Sequence, residues 1–94
     1  MRKAEVLDRL AKLKPWLASR GVTRIRLFGS YARDAARPDS DIDLIVDLAQ
    51  PMGLAFFSPK DELGERLGAK VDMVTEAALA SDIRYTALRD AVDA

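Results

Sequence analysis

With 94 residues, about half of them apolar, the chain is sized for a single small domain over residues 1–94 and is too apolar for disorder. Basic and acidic residues balance at 15 each, so composition does not favour a non-specific grip on nucleic acid or anionic membrane, and no apolar run spans a bilayer. Cysteine and histidine are both absent. That excludes a disulfide framework, thiolate or imidazole metal ligands, a histidine general base and a Ser-His-Asp triad, leaving Asp and Glu to carry acid–base or metal chemistry. The N-terminus has no apolar signal core, and a cytoplasmic location is expected.

In chain order, Val6, Leu7, Leu10, Leu13 and Leu17 recur at helical spacing and predict an amphipathic helix over Arg2 to Ser19, with Pro15 as a kink point and Gly21 as its cap. Val22 to Phe28 reads as a strand with Ile25 and Leu27 on one face. Gly29-Ser30 interrupts it, and Ser30 is expected to N-cap a short helix through Tyr31-Ala32-Arg33. A turn at Arg37-Pro38-Asp39-Ser40 leads to a second strand over Asp41 to Leu48, with Ile42, Leu44 and Val46 facing the core.

Gln50-Pro51-Met52-Gly53 is expected to be a loop. Phe56, Phe57, Leu63 and Leu67 then suggest a helix, started by a capping box at Ser58 and Asp61 and ended by Gly68. Trp16, Phe28, Phe56 and Phe57 read most simply as core. Lys70 to Thr75 predicts a third strand, and Leu79, Ile83, Ala87, Leu88 and Val92 the apolar stripe of a last helix. The predicted order is α-β-α-β-α-β-α.

The chemistry concentrates at two carboxylates within an apolar run. Asp41 and Asp43 lie two residues apart and therefore project from the same side of a strand. Asp is a poor strand former, and like charges this close raise each other's pKa, a cost a bound cation relieves. All-oxygen donors suit Mg²⁺. Upstream, Gly29 and Ser30 are placed to offer backbone N–H groups and a hydroxyl to phosphate.

If one triphosphate is to touch both places, the end of the first strand must meet the start of the second, so the two run antiparallel. Asp72 lies early in the third strand and must reach the same metals, so that strand runs parallel to the second. The expectation is an α/β (α+β) fold with a three-stranded mixed sheet flanked by helices.

At Leu27-Phe28-Gly29-Ser30-Tyr31-Ala32-Arg33, Asp39-Ser40-Asp41-Ile42-Asp43-Leu44 and Gly68-Ala69-Lys70-Val71-Asp72-Met73-Val74, the chain resembles the minimal nucleotidyltransferases of the DNA polymerase β superfamily. It is most similar to the antitoxins of MNT–HEPN toxin–antitoxin pairs. That resemblance implies the nucleotidyltransferase fold and transfer of AMP from ATP to a tyrosine hydroxyl of a HEPN ribonuclease toxin, with two Mg²⁺ ions. It implies Asp41, Asp43 and Asp72 as metal-holding catalytic residues and Gly29, Ser30 and Arg33 as nucleotide-binding ones. A hetero-oligomer with the toxin is allowed, and direct nucleic-acid binding is not expected. One departure stands out: Asp34 occupies a position where the family usually has glycine, and its charge is expected to weaken triphosphate binding.

Plainer alternatives stand beside these readings. Asp41, Asp43 and Asp72 are also compatible with an outward polar strand face, Arg33 with a solvated helix residue, and Tyr31 equally with packing or nucleobase contact. At the level of function, the alternative to an enzyme is a binding module of the same fold that masks a partner with a weakened site.

Overall fold

A computed structural model describes residues 1–50 and 57–94, without the side chains of 57–59. The loop expected over Pro51–Gly53, the Ser58 cap and the core roles of Phe56 and Phe57 lie outside this description. Helix α1 spans Lys3–Ser19, strand β1 Val22–Phe28, the single turn α2 Gly29–Ala32 and β2 Ile42–Leu48. Helix α3 follows at Phe57–Leu67, β3 at Val71–Val74, a 3₁₀ turn at Glu76–Ala78, α4 at Ser81–Asp90 and β4 at Val92–Asp93.

The sheet order is β3-β2-β1-β4. Strands β1 and β2 are antiparallel and β2 and β3 parallel, the directions the site argument demands. The sheet has four strands, where the sequence suggested three. The fourth is a two-residue edge, antiparallel to β1 through Leu27↔Val92 and Arg26↔Asp93. Two residues leave no alternating signature, and Val92, at helical spacing from Leu88, reads as a continuation of α4. In fact α4 stops at Asp90, and Ala91 is extended (φ −66°, ψ 138°), which turns the chain onto β1. The predicted stripe on α4 is accordingly thin: Ala87 is buried, but Ile83 is 54% exposed.

One sheet face carries the main core. Ile25, Leu27, Ile42, Leu44, Val46, Val71 and Met73 meet Val6, Leu10 and Leu17 of α1 and Leu63 and Leu67 of α3. Val22 is also buried, although it breaks the parity set by Ile25 and Leu27. A register shift between Val22 and Arg24 resets the alternation, as an inserted bulge residue does. Helix α1 continues through Pro15, which has no N–H for the carbonyl of Ala11, and Gly21 (φ +89°) closes its end. Trp16 is a seam between helices rather than deep core, with Arg66 of α3 lying 4.4 Å and Arg20 5.5 Å from its ring centre.

The loop after α2 explains the departure at Asp34. This residue adopts φ +54°, the left-handed conformation that glycine takes easily and Asp tolerates better than most. Its Oδ1 accepts a hydrogen bond from the backbone N–H of Lys3, 3.2 Å away, at the first turn of α1. A carboxylate there satisfies a donor the helix leaves unpaired and complements the positive end of its dipole. The Asp34 carboxylate thus has a structural partner at the start of α1, which gives a reason for Asp at this position.

Two effects should separate on substitution. Asp34→Ala loses the cap, about 0.5–2 kcal/mol, and keeps a Cβ at positive φ. Asp34→Gly loses the cap but relaxes the backbone, so urea unfolding should find it within about 1 kcal/mol of the parent protein.

Candidate active site

Strand pairing assembles the site at one end of the sheet. The β1–β2 register sets Phe28 opposite Asp43, so the chain leaving β1 at Gly29 passes directly over the Asp43 side chain. Gly29 has φ +75°, and a Cβ built on it would collide with Oδ2 of Asp43, with Cγ only 3.2 Å away. Glycine is thus required twice, by backbone conformation and by the carboxylate lying against it. On the other side, the parallel register sets Asp43 of β2 beside Asp72 of β3, and both project from the same face. Asp41 precedes β2 by one residue and is half-buried.

The electrostatics follow from this placement. Burial pushes the Asp43 carboxyl up from 3.8 to about 6, and the charges of Asp72 and then Asp41 add to the rise. The Arg33 guanidinium opposes it. Among the described residues, none of the three carboxylates forms an ion pair. Nor are three or more His, Cys, Asp or Glu side chains among those residues already drawn into a metal-holding group. Backbone register sets Asp43 beside Asp72, and Asp41 lies two residues before Asp43, next to the start of β2. A partly desolvated, mutually repelling, all-carboxylate donor set fits a hard divalent cation.

The other expected residues divide. Ser30 does not N-cap α2; Phe28 holds that position and Ser30 lies within the turn, directly after Gly29. Ser30 still flanks Gly29, the residue packed against Asp43. Arg33 ends α2 and pairs with Asp90 of α4, Nη1 to Oδ2 at 3.4 Å. Tyr31 is core, only 4% exposed. Ser40 closes its turn: its hydroxyl accepts from the N–H of Arg37 and its own N–H donates to the Arg37 carbonyl, each at 2.9 Å. Sequence reasoning passed over Asp90. Its signal is an acidic residue at the C-terminal end of a helix, where the dipole disfavours negative charge.

A family profile described as nucleotidyltransferase domain matches residues 4–93. The chain belongs to this family. This nucleotidyltransferase is 42% identical over 73 residues to the protein adenylyltransferase MntA of Thermococcus cleftensis, covering 77% of this chain and 74% of that protein. It is 37% identical over 83 residues to a candidate protein adenylyltransferase of Methanocaldococcus jannaschii, 87% of this chain and 89% of that one. A solved structure described as a candidate minimal nucleotidyltransferase superposes with a TM-score of 0.81 at 36% identity, over 98% of this chain and 95% of the other. A toxin–antitoxin crystal structure with AMP-PNP has a TM-score of 0.73 over 92% of this chain and 69% of that one; at 24% identity it shows the shared fold alone. The protein is thus a minimal nucleotidyltransferase and an enzyme related to protein adenylyltransferases. No helix among the described residues is long and apolar enough to cross a membrane.

The contact at Gly29 yields one expectation. Gly29→Ala should destabilise by about 1–2 kcal/mol from backbone conformation alone, and further through its collision with Asp43. In Gly29→Ala with Asp43→Ala the collision is gone, so the second substitution should recover stability in urea melts; strictly additive losses would contradict the contact.

The raised carboxyl yields another. Asp43 titrates near 3.8 when unfolded and about 6 when folded, so between these values the folded protein holds more protons. Its contribution to stability is complete below about pH 4 and is lost as pH rises through about 6. In EDTA, Asp43→Asn should therefore be more stable than the parent at about pH 7.5, with the difference shrinking toward about pH 4. Urea unfolding at the two pH values reads the result.

Proposed function

We propose that this nucleotidyltransferase transfers AMP from ATP to a hydroxyl of a partner protein, a tyrosine of a HEPN-type ribonuclease, and so acts as the antitoxin of that toxin in the cytoplasm. The observation that carries the reading is the in-register pair Asp43 and Asp72 on one sheet face, with Gly29 packed against Asp43. The identity to protein adenylyltransferases over about three quarters of the chain supports a protein as the acceptor.

In this reading Asp41, Asp43 and Asp72 would hold two Mg²⁺ ions, which would supply charge neutralisation to the phosphoryl transfer. Gly29 lets the backbone approach the phosphates, and the Ser30 hydroxyl and the Arg33 guanidinium orient them. The acceptor oxygen forms a bond to the α-phosphorus, the bond from that phosphorus to the bridging oxygen breaks, and pyrophosphate leaves. Asp72, the solvent-exposed carboxylate, takes the proton from the acceptor hydroxyl. Masking of a partner by an idle site draws its support from the charge of Asp34, and that charge is engaged at the N-terminus of α1.

Incubation with ATP labelled at the α-phosphate and the HEPN partner should label the partner. Asp41→Asn and Asp43→Asn should each lower that transfer by about 10²–10³-fold, the scale of losing one group that stabilises the transition state. Both variants should remain folded. Mg²⁺ with ATP should raise the melting temperature by more than the sum of the separate shifts. Undiminished transfer by either variant would remove the metal role, and unlabelled partner would remove the activity.

A further inference from the structure

Asp90 is in an unfavourable place for a carboxylate. It is the last residue of α4, at the negative end of the helix dipole, and its side chain is only 18% exposed. Two guanidinium groups offset that cost: Arg33 Nη1 lies 3.4 Å from Oδ2, and Arg89 Nε lies 3.4 Å from Oδ1. The two partners differ. Arg89 is a sequence neighbour, whereas Arg33 comes from 57 residues earlier and its charge is felt at Asp43.

The position of Asp90 is imposed by the sheet. Val92 pairs antiparallel with Leu27. Stepping two residues back from Val92 reaches Asp90, and two residues on from Leu27 reaches Gly29, so this register delivers the end of α4 to the start of α2. Helix α4 packs against α2 there. An arginine that is 53% exposed has many rotamers available, and on its own it would spend little time over the carboxylates. A carboxylate anchored by strand pairing restricts that freedom with a charge-assisted hydrogen bond.

We infer that Asp90 is a positioning residue for Arg33, holding its guanidinium beside the Asp41–Asp43–Asp72 cluster where the phosphates of the nucleotide are received. The inference rests on the proposed nucleotide-binding role of Arg33. It adds α4 and β4, which contribute no residue to the carboxylate cluster, as the support for the cationic side of the site.

The test is a double-mutant cycle read by calorimetric binding of AMP-PNP with Mg²⁺, in parallel with steady-state transfer kinetics. Asp90→Asn should raise the AMP-PNP dissociation constant and the KM for ATP about two- to fivefold, the range of one partly exposed ion pair, with kcat changed less than about 1.5-fold. Arg33→Ala should weaken binding at least as much. Combining Asp90→Asn with Arg33→Ala should add nothing further, and Asp90→Glu should restore part of the loss. Unchanged or tighter binding by Asp90→Asn would overturn the inference, as would strict additivity in the double variant, which marks a merely structural role for Asp90. Nucleotide binding without transfer to any protein would defeat the proposed activity while leaving the cycle readable; no nucleotide binding at all would defeat both.

Discussion

Everything at the site depends on the pairing of Phe28 with Asp43 across β1 and β2. That one position in the ladder brings the backbone at Gly29 against the Asp43 carboxylate and sets the face from which Asp72 joins it. Because side chains alternate along a strand, a slip of one residue would turn Asp43 into the core and Leu44 toward solvent. The register is held from the far face, where Leu27 and Leu44, opposite each other and fully buried, close against α1 and α3. The hydrophobic core and the acidic cluster are thus two faces of one alignment.

The alignment carries an electrostatic cost. Asp43 is half desolvated with two carboxylates nearby, which is why it holds its proton to about pH 6. A structure tolerates such a group where packing elsewhere over-determines its position. Strand pairing on both sides of Asp43 supplies that constraint, and the charge retained there is attraction available to a cation.

Much of this was legible from residue types and spacing. The antiparallel then parallel strand directions followed from requiring Gly29, Asp43 and Asp72 to meet, and the apolar periodicity of Val6 to Leu17 marked α1 to within a residue. What stayed hidden depended on contacts distant in sequence. β4 is too short to show a period, and Val92 mimics a helical position. The bulge near Arg24 appears only as a break in burial parity. Asp34 looked like a misplaced charge because nothing in its neighbourhood announces that its partner is the N–H of Lys3. Asp90 was silent because its meaning comes from Arg33, which only the β1–β4 pairing brings near.

The sheet also tapers. Its inner strands have seven residues each, whereas the outer ones have four in β3 and two in β4. Beside β4, Arg24 reaches across to Asp93 with its Nε 3.0 Å from Oδ1, placing a charged pair along that margin. A sheet recruits further chains by presenting a long row of unpaired amide and carbonyl groups, and short or charged margins deny it that row. The same brevity that concealed β4 thus leaves that strand only two residues of its own to offer a further chain, with a charged pair beside them.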